Sequence, residues 1–299
     1  MNTGLTNSST EGILLVNKKK GLTSFDVIRE IRKKFKTRSV GHTGTLDPFA
    51  TGLLILLLGR YTRLANLISN QNKTYEAEIY LGKSTDTDDP EGKITQERNV
   101  SYLKEKNILE VIKSFHGIQF QIPPNYSAIS IAGERCYEKA RRGETIEHTQ
   151  RTIEIFDINI LSIKYINSFI IVNVKLLVSK GTYIRSLARD IGKRLNVPSH
   201  LFKLNRTQVG NYNLSEVDEK IKSDVCSIKG IELILINEKI AFELKHGRQA
   251  EISLNASNSL EFNSKDDKNN NTVRLAHVLG RPIALIKIQK NLMIPIRIL

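Results

Sequence analysis

The chain has 299 residues, of which 40% are hydrophobic and 25% charged, enough apolar material for a sizeable core and too regular a charge content for a chain disordered throughout. Its longest apolar run, Leu53 to Leu58, is far short of the ~20 residues of a membrane-spanning helix, and Cys136 and Cys226 are too few and too distant for a disulfide framework or a zinc ribbon. The net charge of +14 is concentrated, with +8 in residues 12 to 63 and +7 in residues 175 to 206, which implies a polyanionic partner, nucleic acid before membrane.

Residues 1–11 are polar, lack the apolar stretch of a secretory leader and read as a flexible tail on a cytoplasmic, reduced protein. Ile13 to Val16 is a short strand. Thr23 or Ser24 caps a helix whose apolar stripe is Val27, Ile28, Ile31 and Phe35, with Asp26 favourable in the first turn. Next come Gly41-His42-Thr43-Gly44-Thr45-Leu46-Asp47-Pro48-Phe49-Ala50-Thr51-Gly52 and the Leu53–Leu58 element. The glycines permit unusual backbone angles, and Pro48 pushes Asp47 towards extended geometry. An acid fixed on a stiff turn before a buried element suits a nucleophile. Alternatively, the stretch is a connector whose Asp bonds its own backbone.

From Thr74 to Leu81 the residues alternate, with Tyr75, Ala77, Ile79 and Leu81 on one face, as in a half-buried strand. Residues 85–92 are a polar turn. As a calcium loop it fails, because Pro90 falls at a ligand position and Glu91 where the turn glycine belongs. Residues 101–115 read as a helix, 121–133 as a loop and Tyr137 to Arg142 as a short basic helix. Ile153 to Ile163 and Ser168 to Val178 read as strands turning near Asn167-Ser168. Thr182 to Leu195 is a helix with Ile184, Leu187, Ala188, Ile191 and Leu195 on one face. Asn263 to Asn271 is a polar loop. Val273 to Val278, a turn at Gly280-Arg281-Pro282, and Ile283 to Ile288 read as strand, turn and strand, and with Met293 to Leu299 they make a small β domain. Strands and helices in no strict βαβ rhythm predict an α+β fold.

The string around Asp47 resembles the G-H-T-G-x-L-D-P-x-A-x-G-x-L motif of the bacterial TruB-type tRNA pseudouridine-55 synthases, and further matches follow in order over residues 12 to 210. Lys18 and Lys20-Gly21-Leu22-Thr23-Ser24 are similar to the family's K-P-x-G-x-T-S, with Lys19 in place of proline. Pro123 to Ala128 resembles P-P-x-Y-S-A, although Ser130 stands where lysine is usual. The resemblance implies a mixed, mostly antiparallel sheet core with flanking helices. It implies a catalytic domain over 12–235, carrying an RNA-binding insertion at about 121–152. Residues 236–299 resemble a PUA-like RNA-binding module, and a plain β-rich cap fits them as well.

What the family implies for the site is specific. Asp47 is the nucleophile. Tyr75 packs on the target base and offers a hydroxyl for proton transfer, where sequence alone also allows a core tyrosine. Arg185, a cation at the wrong end of its helix for the dipole, pairs with Asp47, where a surface arginine is the other reading. Leu204 meets the base or fills the core. His42 enters the RNA loop, where a structural hydrogen bonder is the other reading. Arg63, Lys18, Lys20 and Tyr183 complete the substrate contacts. The implied activity is isomerisation of uridine 55 in the T-loop, acting as a monomer on tRNA with no metal and no cofactor. Asp47 would act either at C6 of the uracil or at C1′ of the sugar. A guide-RNA-dependent relative shares the Asp47 motif, and a noncatalytic tRNA-binding protein could share the scaffold. The stretch Tyr126 to Gly143 resembles the standalone branch, and the set Asp47, Tyr75 and Arg185 argues for catalysis.

Overall fold

The computed structural model describes residues 10–127, 130–131, 134–135, 142, 149–251, 272–289 and 292–299. In chain order its elements are β1 (Gly12–Lys18), α1 (Ser24–Lys34), β2 (Val40–His42), β3 (Thr51–Leu58), α2 (Ala65–Ser69), β4 (Lys73–Leu81), β5 (Lys83–Thr85), β6 (Ile94–Glu97), α3 (Glu105–Lys113) and β7 (Gly117–Gln121). There follow β8 (Ser130–Ile131), β9 (Glu134–Arg135), β10 (Arg151–Ile166), β11 (Phe169–Val178), α4 (Ile184–Leu195), β12 (Ser199–Val209) and β13 (Tyr212–Asn213). The last are β14 (Glu232–Leu235), α5 (Glu238–Lys245), β15 (Ala250–Glu251), β16 (Arg274–Val278), β17 (Arg281–Gln289) and β18 (Leu292–Ile298). Among the described residues no helix is long and apolar enough to cross a membrane.

Most of the chain builds one nine-stranded sheet in the order β1-β3-β12-β4-β11-β10-β7, with β2 beside β3 and β13 beside β12. Every pairing in it is antiparallel except β3 with β12, which run parallel through Thr51–Asn205 and Gly52–Arg206. β3 is buried from Gly52 to Leu58, as a continuous apolar run requires, because both of its faces are covered. Leu54, Leu56 and Leu58 pack on Val27, Ile28 and Ile31 of α1. Leu53, Ile55 and Leu57 pack on Tyr61 and Leu64 and on Leu275 and Leu285 of the second sheet. α1 begins at a full capping box: the Asp26 N–H donates to Thr23 Oγ1 (3.0 Å), and the Thr23 N–H donates to Asp26 Oδ2 (2.8 Å).

β4 alternates as its sequence predicts, with Tyr75, Ala77, Ile79 and Leu81 buried beside Leu176 and Val174 of β11 and Ile184, Leu187 and Ala188 of α4. β10 and β11 form the long hairpin expected, turning at Asn167 with φ +52°. The second sheet has the order β14-β16-β17-β18-β15 and is covered by Ala241 and Leu244 of α5. It is β-rich, consistent with a PUA-like module, and it starts at Glu232.

Several boundaries move. The helix expected at Thr182 starts at Ile184, and the one expected over 101–115 spans Glu105–Lys113. The turn expected at Gly280-Arg281-Pro282 lies instead at Leu279 and Gly280, both with positive φ. Pro282 is already in β17, opposite a register shift between Ala276 and His277, where its missing N–H costs the ladder little. Residues 137–141 of the segment read as a basic helix, the polar loop ending at Asn271, half of the insertion and residues 1–9 of the tail lie outside the described residues.

Candidate active site

Asp47 sits in the loop between β2 and β3, and four side chains or backbone groups from distant segments fix that loop. Ser24, the first residue of α1, accepts the Leu46 N–H at 2.9 Å and donates to the Leu46 carbonyl at 3.2 Å. Arg206 of β12 is buried and donates to the carbonyls of Leu53 (2.8 Å) and Gly44 (3.0 Å). The Gly21 N–H and Lys18 Nζ both donate to the Pro48 carbonyl, at 2.8 and 3.2 Å. Gly52 is required where β3 meets β12: its φ is +107°, and a Cβ there would stand 2.3 Å from the Arg206 carbonyl oxygen.

Arg185 lies in the first turn of α4 with its side chain only 6% exposed. A buried cation against the helix dipole needs acids, and it has two. Its Nε lies 3.0 Å from Asp47 Oδ2, and its Nη2 donates to Asp47 Oδ1 at 3.2 Å. Its Nη1 donates to Asp89 Oδ2 at 3.3 Å and to the Thr87 carbonyl at 3.2 Å. Nη2 also donates to the Tyr126 carbonyl at 2.9 Å. The guanidinium therefore bridges two carboxylates. Burial pushes the Asp47 carboxyl above its usual value and Asp89 adds to this, while Arg185 and then Lys18 oppose it.

Asp47, Tyr75, Tyr183, Arg185 and Leu204 line one cavity of ≈ 310 Å³. Tyr75 and Leu204 come from the adjacent strands β4 and β12, each 8% exposed. Tyr183 precedes α4, and its N–H and carbonyl are both held by the Gln121 side chain, at 2.9 and 3.0 Å. Burial raises its phenol above the ordinary value.

The remaining sequence candidates stand elsewhere. Lys18, expected to touch substrate, is fully buried, and its ammonium donates to the carbonyls of Lys19, Leu22 and Pro48, so it braces the loop from behind. Burial lowers its pKa to about 8. Lys20 is exposed on the turn that Lys18 holds, and Lys19 is accommodated there without the family's proline. Arg63 is exposed but donates to the Ile298 carbonyl of β18 at 2.9 Å, tying the two sheets together, and it does not line the cavity. His42 is half-buried and does not line it either. Its Nδ1 accepts the Gly44 N–H at 3.2 Å, the geometry of a structural hydrogen bonder, and burial and then Arg206 lower its pKa. The Ser130 side chain lies outside the described residues.

Three residues of the site were not singled out from the sequence. Asp89 was one of four acids in a turn read as merely polar. Its Oδ1 accepts Thr87 Oγ1 at 2.6 Å and the Glu91 N–H at 3.0 Å, and its Oδ2 faces Arg185. Arg206 and Lys73 both line the cavity yet are nearly buried, where the residue types predict exposure. Lys73 donates to the Gln71 carbonyl at 2.6 Å, and burial followed by the charge of Arg206 lowers its pKa to about 8.

Comparison with known proteins adds to this geometry. Residues 32–184 match the TruB family pseudouridylate synthase N-terminal domain. A tRNA pseudouridine synthase B of Clostridium kluyveri is 46% identical over 206 residues, which is 69% of this chain and 70% of the relative. One from Acholeplasma laidlawii is 43% identical over 243 residues, 79% of this chain and 85% of the relative. Among solved structures, an H/ACA RNP bound to a substrate RNA containing 2′-deoxyuridine matches with a TM-score of 0.66 at 20% identity, covering 96% of this chain and 84% of that one. A Cbf5-Nop10-Gar1 complex matches with a TM-score of 0.66 at 21% identity, covering 97% and 84%. These two likenesses establish the fold.

Proposed function

We propose that this chain, which belongs to the TruB family of pseudouridylate synthases, isomerises uridine 55 in the T-loop of tRNA, with Asp47 as its nucleophile. In activity it is a tRNA pseudouridine synthase, an isomerase. The observation that carries the reading to this site is electrostatic. Asp47 is the only carboxylate among the described residues lining the cavity, and a buried arginine holds both of its oxygens.

In the reaction the N1–C1′ bond of uridine breaks, the uracil turns and a C5–C1′ bond forms. The C5 proton is lost and N1 gains one, so the composition is unchanged and no redox partner or group donor enters. Asp47 acts as the ionised carboxylate, either by adding to C6 of the uracil or by assisting at C1′ of the sugar. The Arg185 guanidinium favours that ionised form, opposing the larger upward push of burial on its pKa. Tyr75 offers a ring for stacking, worth about 1–3 kcal/mol, and a hydroxyl for proton transfer, and Leu204 offers an apolar wall. Extruding the base costs a few kcal/mol, which phosphate contacts from the basic segments 12–63 and 175–206 offset. The same proposal takes the T-stem and T-loop as the docking surface, a monomer as the working unit and the cytoplasm as the compartment.

The test compares wild type with Asp47→Asn on an unmodified tRNA transcript without any guide RNA. Wild type should form pseudouridine in the T-loop. Asp47→Asn should lose at least about 10³-fold in rate while still binding in a salt-sensitive way. A wild type that binds the transcript and never isomerises it would refute the standalone reading.

A further inference from the structure

The catalytic cavity opens sideways. Ser69 and Gly181 line it, and both also line a wider, open groove of ≈ 550 Å³ whose walls include Asn70, Gln150, Arg151 and Lys180. The side chains of this groove are polar, and two of them are cations. Around Asp47 the buried guanidinium groups are well supplied with acceptors: Arg185 has Asp47 and Asp89, Arg189 has Asp88 and Asp190, and Arg206 has the Leu53 and Gly44 carbonyls. At the groove the pattern breaks. Lys180 Nζ donates to the neutral Asn70 Oδ1 at 3.1 Å. The Arg151 guanidinium lies 5.7 Å from the centre of the Tyr183 ring, and its buried Nε has no hydrogen-bond partner among the described residues. Gly181, with φ +78°, has no side chain to stand between Arg151 and the cavity mouth. A Cβ at that position would come 3.9 Å from Arg151 Nη1.

Two cations facing one groove with no carboxylate among the described residues that line it leave positive charge and hydrogen-bond donors to be satisfied by an incoming anion. The groove shares its wall with the cavity that takes the base, so the anion must lie beside the flipped nucleoside. We infer that Arg151 and Lys180 form a phosphate subsite that holds the RNA backbone next to the uridine in the cavity. The inference rests on the functional reading above and adds to it the place where the strand is gripped. A phosphate contact is blind to sequence and fixes position. It is also made equally before and during the reaction, so it acts on binding.

The experiment measures the dissociation constant of an unmodified tRNA transcript at several salt concentrations for wild type, Arg151→Gln, Lys180→Gln and Arg151→Lys, with single-turnover rates at saturating RNA. Each Gln variant should bind about 3–10-fold more weakly at moderate salt, and its plot of log affinity against log salt should be shallower by about 0.7–1. The loss should fall on the dissociation constant and not on the single-turnover rate, and Arg151→Lys should keep the wild-type slope. Gln variants indistinguishable from wild type in affinity and slope would overturn the subsite while leaving the functional reading intact. So would an Arg151→Lys as impaired as Arg151→Gln with the slope unchanged, since that marks Arg151 as packing support for Tyr183. A wild type that neither binds nor isomerises the transcript would overturn both.

Discussion

Replacing Arg185 by Met removes a guanidinium from between two carboxylates while roughly keeping its volume. The Asp89 side chain is 7% exposed and Asp47 is 32% exposed, so the first is left as a buried charge and the second is partly rescued by water. Removing one partner of a buried ion pair costs about 3–5 kcal/mol. Asp89 keeps its bonds from Thr87 Oγ1 and the Glu91 N–H, which places the expected loss at the lower end, about 3 kcal/mol. For a chain of this size that corresponds to a melting temperature lower by about 6–12 °C. If the cost is the stranded charge, Asp89→Asn in the Arg185→Met background should return about 1–2 kcal/mol, although in wild type Asp89→Asn removes a partner and destabilises. Activity should respond separately. With Arg185 gone, the strongest influence holding the Asp47 carboxyl down is lost, and the acid limb of the rate should move to higher pH. An Asp47 carboxyl raised above its unfolded value binds its proton more readily in the fold. Stability then falls as pH rises through the native value, and the deficit of Arg185→Met should be larger at neutral pH than near pH 5. Urea unfolding at both pH values, with single-turnover release of tritium from C5 of labelled tRNA across pH, reads all of this. The reasoning is wrong if Arg185→Met is as stable as wild type at neutral pH, or if the double variant is no more stable than Arg185→Met alone.

Two further outcomes are expected. Gly52→Ala combines a positive φ with a methyl group 2.3 Å from the Arg206 carbonyl, and its unfolding free energy should fall by at least about 2 kcal/mol, a loss that a wild-type melting curve would disprove. Lys18 and Lys73 have native pKa values of about 8 against the ordinary 10.5, so between those values the unfolded chain holds more protons and stability should rise with pH. Urea midpoints at pH 8 and pH 10 should show that rise in wild type and less of it in Lys18→Met.

Much of this site was legible because its signals are local. The Asp47 loop announces itself through glycine and proline at fixed offsets, Tyr75 through strict alternation along β4, and α1 through Thr23 and Asp26. Arg185 was legible as a cation at the wrong end of a helix, which demands an anion. What escaped depends on pairing over long sequence distances. Nothing in residues 85–92 says which acid turns inward, because Asp89 is chosen by Arg185, which lies 96 residues away. Lys18 and Arg206 belong to types that normally stay in water, so their burial as backbone donors inverts the expectation. The motif around Leu204 was visible, but its place as a strand between β3 and β4 was not.

That placement bears on how the protein is made. β3 ends at Leu58 and β4 begins at Lys73, yet the slot between them is filled by β12, which starts only at Ser199. During synthesis β3 and β4 leave the ribosome with facing edges open, and two open edges invite each other or another chain. Arg206, the clamp on the Asp47 loop, arrives with the late strand. A nascent chain therefore displays the catalytic motif long before it can hold it in shape, and the order of translation withholds activity until the central strand is threaded home.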